Sequence, residues 1–168
     1  MDRRDFIKSL SAAAALAGTG TIFAQEELPP ITLPKPEKDG GKSVLAAIQE
    51  RRTNRNVSPE PLSPQTLSNL LWAAFGVNRP EAGLMGKQGR TAPSASNSQE
   101  IGLYVCLAQG IYLYEAVPHR LAPVAAGDYR ARAGRSAAVK APVNIFYVVD
   151  LARYVVGKGQ PVLREADP

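Results

Sequence analysis

The sequence predicts an α+β fold. Two helical segments come first, over 42–52 and 62–76, and apolar strand segments follow, over 100–108, 110–117 and 141–150. Helices and strands segregated along a chain belong to that class. At 168 residues, 45% hydrophobic and 21% charged, the chain has the composition of one globular domain with a real core.

The first 24 residues read as an export signal. In "MDRRDFIK" the paired Arg3 and Arg4 are followed by one variable residue, Phe6, an aliphatic residue and Lys8. That pattern resembles the twin-arginine signal. The Ala-rich run from Ser9 to Gly20 is too short for an ordinary membrane span. Cleavage is expected after Ala24, which makes the chain an exported, periplasmic protein handled by the twin-arginine machinery; an uncleaved membrane anchor is the alternative. Residues 25–41 contain "EELPPITLPKPEKDGG", a Pro-rich linker or surface arm.

"KSVLAAIQERR" carries apolar residues at 44, 45, 47 and 48, a helical period, and Ser43 can cap it. Its end gathers Arg51, Arg52 and, after Thr53 and Asn54, Arg55. If the helix continues through them, Arg51 and Arg55 are neighbours. The helix over 62–76 is better marked. Ser63 is the N-cap, Pro64 takes the first helical position and Gly76 closes it. Residues 77–99 read as a long polar loop of the kind that carries function. "EIGLYVCLA" and "GIYLYEAV" then read as strands joined by a tight turn near Gln109-Gly110. Between 119 and 140 one short helix is expected around "GDYRARA", and "APVNIFYVVD" reads as a buried strand.

Chemistry is sparse. The single cysteine, Cys106, lies in an apolar run and reads as core; the single histidine, His119, reads as a surface loop residue. Together they give neither a zinc pattern nor a convincing catalytic pair. Net charge is +5, but outside 51–55 the basic residues are scattered and not interleaved with aromatics. Nucleic-acid binding is therefore not expected.

Three segments in order give a resemblance. "RRTNR" at 51–55, the helix "LSPQTLSNLLWAAFGVNRP", and "RTAPSASNSQEIGLYV" at 90–105 resemble the nitroreductase-like flavin oxidoreductases, closest to the SagB/ThcOx-type dehydrogenases. "APVNIFYVVD" is similar to a central strand of that family. The resemblance implies a central mixed sheet flanked by helices over 42–168, incomplete at the C-terminus. A further helix, a Gly-rich stretch and a strand would follow residue 168. It also implies an intertwined homodimer with FMN at the interface. Arg51, Arg52, Thr53 and Arg55 would hold the phosphate, ribityl chain and pyrimidine edge. Pro93, Ser94, Ala95 and Asn97 would reach the same flavin from the other subunit. The implied activity is hydride transfer through flavin from a nicotinamide (NAD(P)H) or other donor to a small organic acceptor. An exported flavin-binding module, or a remnant without turnover, is the alternative.

Overall fold

The computed structural model describes residues 28–83, 86–132 and 139–153. The expected signal at 1–24 and the stretch 154–168 lie outside them. Helix α1 spans Val44–Glu50 and α2 spans Pro64–Phe75. The strands are β1 (Ile31–Thr32), β2 (Val77–Ala82), β3 (Gln88–Arg90), β4 (Ile101–Cys106), β5 (Gly110–Glu115), β6 (Arg120–Ala126) and β7 (Asn144–Val149). Five of them form one antiparallel sheet in the order β1-β6-β5-β4-β7, and β2 and β3 form a separate hairpin. The α+β class holds.

Pleating divides the central strands between two faces. Leu103 and Val105 of β4, with Tyr112 and Tyr114 of β5, join Leu67 and Leu71 of α2 and Leu121 of β6 in the main core. Tyr104, Cys106 and Ile111 point to the other face, against Phe146 and Val148. Cys106 is buried there as expected, and burial pushes its thiol pKa up. The α2 boundaries follow the caps. Ser63 Oγ accepts from Thr66 N at 3.1 Å, Pro64 sits at the first turn, and Gly76 N donates to the Trp72 carbonyl at 2.7 Å.

Four expectations are corrected. The segment 119–140 contains no α-helix among its described residues: "RLAPVAA" is strand β6, and the helical turns at Arg130–Arg132 and at 139–140 are of 3-10 type. Asp128 sits at its start, held to about pKa 2 by hydrogen bonds from Arg130. Residues 77–99 are not a plain loop but carry the β2–β3 hairpin. Strand β7 is half-exposed, not buried, because among the described residues β4 is its one neighbour in the sheet; Tyr147 is 63% exposed. The fourth correction concerns His119.

His119 is a structural junction, not a surface loop residue. Its Nε2 lies 2.7 Å from Ser68 Oγ, and its Nδ1 2.9 Å from Tyr114 OH. Ser68 Oγ also donates to the Pro34 carbonyl at 2.6 Å, and a carbonyl can only accept. The serine proton is thereby committed, so Nε2 must be the donor to Ser68. Nδ1 is then bare and accepts from Tyr114. For the neutral ring, which burial favours, the geometry thus defines the Nε2–H tautomer. It also removes Ser68–His119 from consideration as a nucleophile–base pair, since the serine proton points away from the imidazole.

Burial lowers the His119 pKa below its ordinary 6.5, with the nearby Pro34 backbone opposing in part. A depressed histidine binds fewer protons folded than unfolded, so its stabilising effect is present above 6.5 and is lost as pH falls through the folded value. Stability of the wild-type chain is expected to fall on acidification through this window. His119→Gln should lose up to one proton's worth of that slope. Parallel urea melts across the window check it, and equal slopes would contradict the assignment.

Candidate functional site

The two sequence-predicted segments are built differently. In the first, α1 ends at Glu50 and Arg51 is its C-cap, donating its N–H to the Ala47 carbonyl at 3.0 Å. The helix does not continue to Arg55, so the neighbour relation expected of Arg51 and Arg55 on a helix face is absent. Arg51, Arg52, Thr53 and Arg55 are all exposed. Arg52 Nη1 donates to the carbonyls of Gln49 and Arg51, at 2.8 and 2.9 Å. These contacts engage the C-terminal end of α1, as a cation does at a helix terminus. None of the three arginines enters an ion pair among the described residues.

The second segment is a braced, strained turn. Ser96, Asn97 and Gln99 adopt φ of 50°, 53° and 54°, three non-glycine residues in the left-handed region within four positions. Each such residue costs of order 1 kcal/mol or more and persists only where its surroundings over-determine it. Here the surroundings are strand β3 and the turn itself. Gln99 Nε2 donates to the Gln88 carbonyl at 2.6 Å and to Asn97 Oδ1 at 2.9 Å, while Gln99 Oε1 accepts from Arg90 Nε at 2.9 Å. Asn97 Nδ2 donates to the Lys87 carbonyl at 3.3 Å, and Lys87 Nζ to the Ser98 carbonyl at 2.7 Å. Ser94 Oγ closes the turn by accepting from Gln99 N at 3.0 Å. The Asn97 amide thus serves the turn at both of its ends.

Pro93, Ser94 and Asn97 line a cavity of about 430 Å³ under the hairpin, together with Arg79, Glu81, Gly83, Lys87, Gly89, Arg90 and Ala92. Ala95 is exposed and is not part of that lining. A larger cavity, about 510 Å³, opens where β4 and β5 part, since their pairing stops at Tyr104–Leu113. Its carboxylates, Glu115 and Asp150, pair with its arginines Arg120 and Arg153. Arg90 lines both cavities. Its guanidinium stacks on Phe75 with Cζ 5.2 Å from the ring centroid, and its Nη1 is buried without a partner. Burial is also the main reason its pKa is lowered. Neither cavity is lined by residues 51–55. Reading the sequence missed Arg79, Lys87, Arg90 and Gln99. The available signal was three basic residues within a stretch otherwise read as a polar loop.

Among the described residues no cluster of His, Cys, Asp or Glu can hold a metal ion, and no helix is long and apolar enough to cross a membrane. No curated protein matches the chain. Among solved structures, a provisionally named nitroreductase from Ralstonia eutropha JMP134 is 37% identical, with a TM-score of 0.66, over 74% of this chain and 57% of its own length. The chain therefore spans little more than half of that relative. A similarly named protein from Anabaena variabilis ATCC 29413 matches at 19% identity and a TM-score of 0.45, over 88% of this chain and 32% of its own. The Escherichia coli microcin synthetase McbBCD complex matches at 18% and 0.43, over 85% and 64%. The nitroreductase family model covers residues 48–166, which takes in the arginine cluster, α2, the braced turn and the central strands; the chain belongs to the nitroreductase family.

Proposed function

We propose that the chain is an FMN-dependent oxidoreductase of the SagB/ThcOx branch, passing hydride from a nicotinamide or other donor to a small organic acceptor. The observation that carries this reading is the braced turn Ser94–Gln99, where strain is held in place beside a cavity in the segment that resembles the family's flavin loop. The residues fit the cofactor. Three guanidinium groups without acidic partners among the described residues suit a phosphate in charge and in fork geometry. The turn offers small side chains at Ser94 and Ala95, so a flat ring system can approach its backbone. Bound flavin would supply the hydride chemistry. The protein's share is placement: arginines on the phosphate, and a rigid turn that sets the ring's distance and orientation.

Arg51→Ala is expected to cost about 1.5–3 kcal/mol of FMN affinity, the range of a charge-assisted hydrogen bond. Riboflavin, which lacks the phosphate, should lose much less. Titration by flavin fluorescence measures both, and an equal loss for the two ligands would remove the phosphate role.

We further propose that the site is shared in a homodimer, residues 51–55 of one subunit facing 93–97 of the other. In support, residues 51–55 line neither cavity of their own chain. Arg51→Ala and Asn97→Ala chains, each inactive alone, should regain activity when their subunits are exchanged, because one of the two mixed sites is intact. Confirmed exchange without recovery would place both segments within one subunit. Export by the twin-arginine route completes the proposal, and the N-terminal residue of secreted protein, expected at Gln25, tests it.

A further inference from the structure

The cavity under the β2–β3 hairpin has a charge imbalance that flavin placement leaves unused. Its lining holds three cations, Arg79, Lys87 and Arg90, against one carboxylate, Glu81. None of the four is in an ion pair among the described residues. In the larger cavity, by contrast, both carboxylates are matched by arginines, and the cation left over is again Arg90.

The hairpin also sets one of these cations beside bare backbone. Arg79 and Gly89 are direct partners across β2 and β3. A Cβ at residue 89 would overlap Arg79 Nε and crowd Nη2 and Cζ. The guanidinium therefore rests on bare backbone, in a place that only glycine leaves open. Lys87 is held by the Ser98 carbonyl, and Arg90 by Gln99 and the Phe75 ring. Lys87 and Arg90 are thus anchored at the cavity wall, the exposed Arg79 lies over Gly89 at its rim, and Pro93, Ser94 and Asn97 of the braced turn share the wall.

We propose that this cavity is an oxyanion site and that its occupant is a carboxylate group carried by the acceptor that flavin reduces. A planar guanidinium fork matches a carboxylate in shape. The lining's excess of two positive charges draws carboxylate and phosphate alike, and the titration below separates them. The anion site stands on the cavity geometry; the acceptor assignment rests on the flavin reading above.

Titration calorimetry of the full chain with benzoate and its neutral isostere benzamide, with and without FMN, separates the two parts. Benzoate should bind at least about tenfold more tightly than benzamide, a gap of about 1.4 kcal/mol. Arg79→Gln should remove most of that preference. Gly89→Ala leaves net charge unchanged and should weaken that preference only in part, because it shifts the guanidinium without deleting it. Equal binding of the two ligands, or wild-type preference in Arg79→Gln, overturns the anion site. Inorganic phosphate binding more tightly than benzoate overturns the carboxylate assignment. In the FMN-loaded chain, benzoate should shift the flavin absorbance. Binding without a shift overturns the acceptor role and leaves the anion site standing. Failure to take up FMN at all overturns the flavin reading and the acceptor role with it, and benzoate titration of the flavin-free chain still decides the anion site.

Discussion

Leu71→Ala should be the most damaging of the simple truncations in this chain. Leu71 is wholly enclosed at the centre of α2, among Leu67, Leu103, Val105, Tyr112 and Leu121. Removing its branched end forfeits transfer energy and leaves a cavity that the surrounding strands cannot close. The expected loss is about 2–5 kcal/mol, a large part of the roughly 5–15 kcal/mol that holds an ordinary domain together. A urea melt should show a much lower midpoint at unchanged slope. Leu70, its sequence neighbour, is 43% exposed, and Leu70→Ala should stay within about 0.5 kcal/mol of wild type. Similar losses for the two would mean that α2 does not present this face to the sheet.

Gln99→Leu is expected to be nearly as costly, by a different route. The side chain keeps its size and loses its polar atoms. The Gln88 carbonyl then loses its donor, and Arg90, which already has Nη1 buried and unpartnered, loses its one side-chain acceptor. Each buried group left unpaired costs about 1–3 kcal/mol. The strained φ values of Ser96, Asn97 and Gln99 itself would lose the braces that enforce them. Two readouts should move together: the urea midpoint should fall, and limited proteolysis should begin to cut between Ser94 and Gln99. Gln99→Glu keeps an acceptor for Arg90 and should be milder. A Gln99→Leu chain as stable and as protease-resistant as wild type would show that the braces are incidental.

How much of this was legible depended on where the signal was stored. Helix α2 was readable to the residue because its ends are chemical: a serine cap, a proline and a glycine. Strands β4 and β5 were readable because the apolar run around each is broken at a Gln-Gly turn. Strand β6 was not. "RLAPVAA" is rich in alanine and carries Pro123, both of which argue against a strand. What makes it one is tertiary. It pairs with β5 throughout, and Pro123 falls at the register shift beside Tyr112, where β1 does not reach. The β2–β3 hairpin hid for a related reason. Pro80 lies in β2, and a hairpin with no further strand beside it among the described residues tolerates the missing N–H. Strand β7 was seen but given too much burial, since a β-branched apolar run does not reveal how many neighbours it will have. At the site, the arginine cluster and the Pro93–Asn97 turn stood out by composition. The cations facing that turn did not, because a shared cavity wall is made by the hairpin's register and not by spacing in the sequence.

The junction at His119 sets how the N-terminal arm lets go. Strand β1 contributes two residue pairs to the sheet, too few to hold an arm by themselves. Yet the Leu33 amide donates to the His119 carbonyl at 3.3 Å, the Pro34 carbonyl accepts from Ser68 of α2, and the His119 ring is tied to Tyr114 of β5. Releasing the arm therefore uncouples helix from sheet at the same residue, and Leu33 leaves the main core as it goes. An edge segment joined in this way does not fray in advance of the domain. It opens in the same cooperative event as the central strands, so the amide of Leu33 exchanges with solvent on the slow timescale of global opening and not on the fast one of a chain terminus.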